Sequence, residues 1–341
     1  MSVIGIVCEF NPFHNGHKYL IDSVKNQGDI VVCVMSGNFV QRAEPSIFPK
    51  ETRVKAALLN GADIVLELPF VYATASAEIF AYNAVRILDS FGCDKLAFGT
   101  ENATVEQLNT IVDVLNEDYF DEKIKDYLQS GESYPSARQS ALNSYGKKFD
   151  VNSPNNILAI EYIKAIISSG SNLKIHTVKR VNNNYSDEDM SSGTIQSATA
   201  IRKSIEQKDI SALEFTPNIT KNIILDAISS GDFPCDNERI SPAVISSLRL
   251  NSPANFESIH DTSGGLYNRL ARLSLKTDSI TSLTALAQTK KYTTARIRRA
   301  TAQPRLAEQQ RPAVRKRKSP VNWRGRIFRR RQQDLCSLTQ M

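Results

Sequence analysis

Short apolar runs alternate with amphipathic stretches through the first two hundred residues. The first four runs, at 3–7, 30–35, 64–68 and 95–98, are continuous enough for strands buried on both faces of a sheet, and a short strand candidate follows at 173–178. Between the first four runs and after the fourth, apolar positions recur every three or four residues, as in crossover helices, at about 16–26, 51–60, 76–90 and 104–116. The pattern predicts an α/β domain with a parallel sheet.

A mainly helical pattern follows over about 119–170, with breaks at Pro135 and Pro154, and it predicts a helical insertion into the α/β domain. A polar segment at 182–193 leads to a helix at about 199–207. We therefore predict an α/β domain over 1–208 and a mostly helical second domain over 209–300.

The composition changes beyond Ala300, where Arg, Gln, Pro and Ser dominate and no helical or strand period is sustained. We predict a basic, poorly packed tail over 301–341, and an aberrant or frameshifted reading would produce such a break. Residues 296–341 hold 14 Lys/Arg against two acids, whereas the first 295 residues hold 28 against 34. Two interpretations stay open: a polyanion such as RNA binds near the C-terminus, or the tail is solvated and disordered.

Composition limits the class of protein. A length of 341 residues suits two domains. The five cysteines form no CxxC pair, so neither a disulfide framework nor a thiolate zinc site is indicated. No basic leader precedes the first apolar run, and no run reaches the roughly 18 apolar residues of a membrane span. We expect a cytoplasmic protein without a membrane partner, and the sequence does not indicate its oligomeric state.

The strongest chemical signal is the sequence EFNPFHNGH at 9–17, directly after the first strand and at the start of the first helix. A helix N-terminus attracts phosphate, and His14 and His17, one turn apart, can point at the same anion. Gly16 allows the backbone to approach closely. The pattern indicates attack on the α-phosphate of a nucleotide, with both histidines stabilising the charge that develops on its oxygens.

Two alternatives stay open for His14 and His17: they could be metal ligands, or ordinary residues at a helix start. No carboxylate or thiol cluster with zinc spacing accompanies them. The preceding strand, Pro12 and Gly16 favour the phosphate site.

A second helix start lies at 195–202, where Ser197 and Thr199 can cap a helix and Arg202 can face phosphate. A simple N-cap is the alternative. We predict that the two helix starts converge on one triphosphate.

At these residues the chain resembles the HxGH nucleotidyltransferase superfamily, whose second signature is matched by Ile195, Ser197, Thr199 and Arg202. Further stretches resemble the tRNA(Met) cytidine acetate ligases over about residues 1–299, and these lie at 9–17, 36–42, 62–69, 98–101 and 153–158. The resemblance implies a Rossmann-like, parallel-sheet nucleotidyltransferase domain followed by a helical domain that contacts tRNA.

It also implies an activity. ATP, with Mg²⁺, and acetate would form an acetyl-adenylate, and the N4 amine of the wobble cytidine in elongator tRNA(Met) would take the acetyl group. The product would be N4-acetylcytidine, with AMP and pyrophosphate released, so the enzyme would be a ligase that forms a carbon–nitrogen bond.

By the same resemblance His14 and His17 would be catalytic. Gly99, Asn155 or Asn156, and Arg180 would complete an ATP site, and Ser197, Thr199 and Arg202 are additional phosphate candidates. The stretch that would hold most of the ATP consists of Val7, Cys8, Glu9, Phe10, Asn11, Pro12, Phe13, His14, Asn15, Gly16, His17, Lys18, Tyr19 and Leu20. Gly99 as a plain turn and one asparagine as a helix cap remain alternatives.

Other basic residues are candidates for RNA contact. Arg42 could meet phosphate or tRNA, or could be an exposed loop residue, and the family pattern usually has Gly where Ala43 follows it. The basic segment 290–299 is a candidate for tRNA phosphate contact. Two rival functions stay open: a small-molecule adenylyltransferase of the same superfamily, and a non-catalytic RNA-binding relative that uses 290–331.

Overall fold

The computed structural model describes most of the chain, and every statement about structure below refers to that part. It covers residues 1–101, 103–132, 134–146, 151, 153–180, 196–231, 235–251, 262, 264–289, 291–302 and 327–329. The predicted polar segment at 182–193, Ile195 of the second signature, Lys290 and most of the tail lie outside these residues.

A central sheet carries the α/β fold. Its strands are β1 (Val3–Cys8), β2 (Ile30–Ser36), β3 (Ile64–Leu68), β4 (Lys95–Thr100), β5 (Lys174–Lys179) and β6 (Ile327–Arg329). The order across the sheet is β5-β4-β1-β2-β3-β6. The first five strands are parallel, which confirms the predicted sheet, and β6 adds an unpredicted antiparallel edge strand beside β3.

Helices connect the strands and continue beyond the sheet. They are α1 (Asn15–Val24), α2 (Lys50–Leu59), α3 (Phe70–Ala73), α4 (Ala77–Ser90), α5 (Val105–Leu115), α6 (Asp118–Gln129), α7 (Tyr134–Ser144), α8 (Pro154–Ser169), α9 (Ala198–Glu206), α10 (Asn218–Ser229), α11 (Asn237–Leu250), α12 (Leu266–Ser274), α13 (Ile280–Ala287) and α14 (Thr294–Ala302), with a 3₁₀ helix at Ile210–Phe215. No helix in this part of the chain is both long and apolar enough to cross a bilayer.

Two cores cover the two faces of the sheet. On one face α4, α5 and α8 bury side chains such as Phe80, Leu108 and Ile163. On the other face α1 and α2 bury Ile21 and Val54 against β1 and β2. Because α8 shares the core of α4 and α5, the last helix of the predicted insertion is also the crossover helix that leads into β5.

The later helices divide between two packing partners. Helix α10 packs on α2, where the Asn60 amide donates to the Thr220 hydroxyl over 3.0 Å in a buried contact. Helices α11 to α14 share a separate core that includes Leu248 and Leu270. The boundary predicted at 208/209 stays a prediction.

The strand order places a crevice beside β1. Successive strands are added on one side of β1 as β2 and β3, and on the other side as β4 and β5. The direction therefore reverses between β1 and β4, and open α/β sheets bind ligands outside the carboxyl ends of strands at such a point.

Candidate active site

The loop between β1 and α1 is held from both sides. The Asn11 side chain accepts a hydrogen bond from the Ile47 backbone N–H over 2.8 Å, and the Asn11 carbonyl accepts one from Arg202 Nη1 over 2.8 Å. Phe10 and Phe13 are buried beneath the loop. These contacts fix the start of α1 at the carboxyl edge of the sheet.

His14 and His17 form a stacked pair at the first turn of α1. Their ring centroids are 3.7 Å apart with 25° between the planes. His14 Nδ1 accepts from the Gly16 backbone N–H over 3.0 Å, and His17 Nδ1 accepts from the His14 N–H over 3.2 Å. An Nδ1 that accepts a hydrogen bond leaves the proton of a neutral imidazole on Nε2, so each ring keeps an Nε2–H donor for a ligand.

Both histidines are neutral at pH 7. Burial, and after it the positive charges of Arg180 and Arg202, lower the pKa of His14 to about 4. Burial, then His14 and then Arg180 hold the pKa of His17 well below its usual value. The neutral rings can therefore offer hydrogen-bond donors to a ligand, and the positive charge beside them comes from the two arginines.

A cleft opens beside the histidine pair, between β1, β4, β5 and α8. It encloses about 850 Å³ of empty space, including its open mouth. Its lining residues are Val7, His14, Gly16, His17, Tyr19, Leu20, Phe98, Gly99, Asn155, Leu158, Tyr162, Val178, Lys179 and Arg180.

Arg180 and Gly99 form the wall on the β4–β5 side. Gly99 lies within β4, not in a turn, and a Cβ added there would come within 3.1 Å of Arg180 Cγ. The Arg180 N–H donates to the Thr100 carbonyl over 2.8 Å, and Arg180 Nη1 donates to Asn155 Oδ1 over 2.8 Å. Gly99 thus gives the arginine room to lie along the cleft.

The two asparagines at the start of α8 have different positions. Asn155 lines the cleft, whereas Asn156 is 4% exposed and does not belong to its lining. The N-cap of α8 is Ser153, so neither asparagine has that position. The geometry favours Asn155 as the ligand contact.

The second signature contacts the loop between β1 and α1 through Arg202 and Asn11. Ser197 caps α9 by accepting from the Ala200 N–H over 3.2 Å. Arg202 donates to the Thr199 hydroxyl over 3.1 Å and to the Asn11 carbonyl. Ser197, Thr199 and Arg202 are absent from the lining of the cleft among the described residues, so their convergence with α1 on one triphosphate stays a prediction.

Several residues of the stretch 7–20 support the site without lining the cleft. Cys8, Phe10 and Phe13 belong to the core, and Lys18 pairs with Asp22. Glu9 accepts the Gln41 N–H over 2.8 Å, and burial raises the pKa of its carboxyl group. The remaining members outside the lining are Asn11, Pro12 and Asn15.

Tyr162 and Lys179 were missed by the sequence analysis. Tyr162 is one of three cleft residues on one face of α8, with Asn155 and Leu158, at a spacing that follows the helical period. Lys179 is the last residue of β5, and the carboxyl ends of parallel strands meet at one edge of the sheet. Helical periodicity counted from Asn155 was the signal for Tyr162.

Arg53 was also missed. It is 2% exposed and donates to the Glu9 carbonyl over 2.5 Å and to the Ser36 and Phe48 carbonyls over 3.2 Å, and it also donates to the Gly37 carbonyl. Burial lowers its pKa to about 10, so it stays a cation at pH 7. Arg53 ties the end of β1 to the end of β2.

The residues proposed for RNA contact lie outside the cleft. Arg42 is exposed, and Ala43 after it has φ of 57°. In α14, Arg298 pairs with Glu44 of the same loop. Within the described residues, no three His, Cys, Asp or Glu side chains are grouped as metal ligands would be.

Comparison with known proteins identifies similar chains. A family model described as HIGH Nucleotidyl Transferase matches residues 1–325. The tRNA(Met) cytidine acetate ligase of Thermoanaerobacter sp. (strain X514) is 40% identical over 308 residues, which cover 87% of this chain and 76% of that protein. The enzyme of the same name from Clostridium acetobutylicum is 39% identical over 317 residues, or 88% of this chain and 77% of that protein.

Two crystal structures of Thermotoga maritima TmcAL resemble the fold. The apo form has a TM-score of 0.80 and 35% identity, and covers 90% of this chain and 76% of that chain. The form bound with alpha-thio ATP has a TM-score of 0.78 and 34% identity, and covers 91% and 77%.

Proposed function

Because the chain belongs to the HIGH nucleotidyl transferase family and to its tRNA(Met) cytidine acetate ligases, we propose that it uses ATP to join acetate to tRNA. A carboxylate oxygen of acetate attacks the α-phosphate of ATP, and pyrophosphate leaves. The N4 amine of the wobble cytidine in elongator tRNA(Met) then attacks the acetyl carbonyl, AMP leaves, and the amine loses a proton. The observation that carries the proposal is the stacked histidine pair in the same cleft as Arg180.

The groups in the cleft suit the first step. The Nε2–H groups of His14 and His17 stabilise the charge that grows on the α-phosphate oxygens, and Arg180 supplies a full positive charge. Leu20, Leu158 and Val178 offer apolar surface to the nucleoside. Mg²⁺ would be held mainly by the phosphate oxygens of ATP, since magnesium sites of this kind need few protein ligands.

The helical region would contact the tRNA. The predicted segment 290–299 and Arg42 supply the cations, and Arg298 of that segment lies near Arg42 because it pairs with Glu44 in the same loop. Cations in such positions bind phosphates without reading sequence. We therefore assign them to tRNA backbone contact.

The activity is tested by incubating the purified chain with ATP, radiolabelled acetate and unmodified elongator tRNA(Met). We expect label in the RNA that digests to N4-acetylcytidine, and none in a transcript with uridine at the wobble position. ATP–pyrophosphate exchange without label in any RNA would instead support a small-molecule adenylyltransferase. RNA binding without exchange would support the non-catalytic relative.

Replacing His17 tests the role of the histidines. His17→Ala removes one donor to the transition state and should raise the barrier to acetyl-adenylate formation by about 2–4 kcal/mol, with little change in tRNA binding. Acetate-dependent ATP–pyrophosphate exchange measures the step. His176→Ala, on the exposed side of β5, is the matched control. An unchanged exchange rate in His17→Ala would remove the histidine from the mechanism.

A further inference from the structure

A chain of hydrogen bonds continues from Arg180 away from the cleft. Arg180 Nη1 donates to Asn155 Oδ1 over 2.8 Å, and Asn155 Nδ2 donates to Glu101 Oε1 over 3.2 Å. Glu101 directly follows β4, and Asn155 lies in the first turn of α8. Three elements of the fold thus meet through three side chains, and Glu101 is the only one of the three outside the lining of the cleft.

The charges at the two ends determine how the amide of Asn155 is oriented. An amide has a donor side and an acceptor side. A guanidinium can only donate and a carboxylate can only accept, so the carbonyl oxygen of Asn155 faces Arg180 and its NH₂ faces Glu101. The reverse orientation would place two donors together at Arg180 and two acceptors together at Glu101.

The amide also separates the two charges. A carboxylate in direct contact with Arg180 would form an ion pair that competes with a phosphate for the guanidinium. Among the described residues, Arg180 forms no ion pair, and its side chain donates to the neutral amide of Asn155. Its charge is still felt in the cleft, since it lowers the pKa of both His14 and His17.

We propose that Glu101 is a positioning residue for nucleotide binding, which acts through Asn155 to hold the Arg180 guanidinium in place without neutralising it. The proposal rests on the proposed function, in which Arg180 binds the phosphates of ATP. The main chain of Arg180 is already fixed by its bond to Thr100, and its stem passes Gly99. The hydrogen bonds through Asn155 to Glu101 therefore fix the position of the guanidinium at the end of the Arg180 side chain.

Two single variants and the double variant separate the effect of the position of the Arg180 guanidinium from the effect of its charge. The side chain introduced by Glu101→Gln can donate as well as accept, so the Asn155 amide can rotate by about 180° and still form a hydrogen bond to it. ATP should then bind about tenfold more weakly, which corresponds to the loss of one hydrogen bond to a charged group. Asn155→Asp places a carboxylate directly on Arg180 and should weaken binding by about 100-fold. In the double variant, the amide introduced at position 101 can donate to the carboxylate introduced at position 155, which restores the hydrogen bonds but leaves the ion pair.

Calorimetric titration with ATP, without acetate or RNA, measures these effects. We expect the double variant to recover the unfolding midpoint of the wild-type protein but not its ATP affinity. In ATP–pyrophosphate exchange, Glu101→Gln should raise the KM for ATP and leave the KM for acetate unchanged. Glu106→Gln, the same change at an exposed site in the first turn of α5, should bind ATP like the wild type.

The outcomes distinguish this inference from the proposed function. Wild-type affinity in Glu101→Gln, or in the double variant, would overturn the positioning role even in a fully active ligase. Equal losses of ATP affinity in Glu101→Gln and Glu106→Gln would overturn it as well. A wild-type protein that binds ATP but acetylates no tRNA would refute the proposed activity, and the ATP titrations would still decide the role of Glu101.

Discussion

Two arginines lie at the carboxyl edge of the same sheet and have opposite surroundings. Arg53 reaches from α2 to the ends of β1 and β2, where it is buried and bonded to four backbone carbonyls. Arg180 follows β5, lines the cleft and bonds through its side chain to the amide of Asn155. Both are cations near the histidine loop, yet only one is accessible to a ligand.

The difference shows that the number of partners and the exposure of an arginine decide its role. A guanidinium has five N–H donors, and carbonyl dipoles that occupy them leave little for an anion. Arg53 is saturated in this way and holds strand ends together. Among the described residues, the Arg180 side chain donates only to the neutral amide of Asn155, so it keeps donors for a ligand. The β1–β2 side of the edge is thus closed, and the β4–β5 side is open.

Removing each arginine in turn should separate stability from binding. Arg53→Met keeps much of the stem but leaves the carbonyls of Glu9, Ser36, Gly37 and Phe48 without a buried donor. We expect the free energy of unfolding to fall by about 3–5 kcal/mol, the range for breaking a buried polar network. Urea unfolding measures the change.

Arg180→Met is the matched comparison. It removes one partly buried hydrogen bond to an amide, so we expect a loss of about 1 kcal/mol or less in stability, together with a large loss of ATP affinity. Equal losses of stability in the two variants would show that the two arginines do not differ as their surroundings indicate.

The pH dependence of stability tests the histidines that lie between these arginines. In the unfolded chain His14 titrates near 6.5, and in the folded chain its pKa is about 4. Between pH 6.5 and pH 4 the unfolded chain therefore binds a proton at His14 that the folded chain does not bind. This contribution to stability is present above about pH 6.5 and is lost as the pH falls toward 4, by about 2 kcal/mol between pH 7 and pH 5.

His14→Asn removes the titrating ring and keeps a side chain that can cap α1. Its free energy of unfolding should fall less than that of the wild type between pH 7 and pH 5, by about 2 kcal/mol. His17 remains and still contributes in the same direction. Urea titrations of both proteins at the two pH values give the difference, and parallel falls would mean that His14 is not buried as a neutral ring.

The sequence predicted the elements of this edge better than the contacts between them. Apolar runs located the first four parallel strands, because strands covered on both faces must be continuously apolar. The fifth, β5, was found as a short strand candidate, and it is an edge strand whose residues are mostly exposed or half-buried. His14 and His17 stood out because their motif directly follows a strand and begins a helix. These signals are local, and each is contained within a few residues.

Arg53 and Glu101 could not be found in this way. The partners of Arg53 are backbone carbonyls from separate segments, which leave no mark on residue identity, and an arginine within an amphipathic helix normally indicates a solvent-facing position. Glu101 gains its role only where α8 brings Asn155 beside β4 and β5. Both depend on tertiary placement.

The smallest expected effect concerns Ala43, on the closed β1–β2 side of the sheet edge. Its φ of 57° lies in the left-handed region that disfavours a Cβ. Ala43→Gly should therefore raise the free energy of unfolding by about 0.5–1 kcal/mol, after allowing for the greater freedom of glycine in the unfolded chain. The change lies in the loop next to Glu44, so Arg298 should keep its ion pair.

The matched control for Ala43→Gly is Ala57→Gly, which lies within α2 and should lower stability by about 2 kcal/mol, because glycine disfavours a helix interior and a buried methyl group is lost. Urea unfolding of the two variants should move the midpoint in opposite directions. If both midpoints fall, the left-handed backbone at Ala43 carries no energetic cost that glycine relieves.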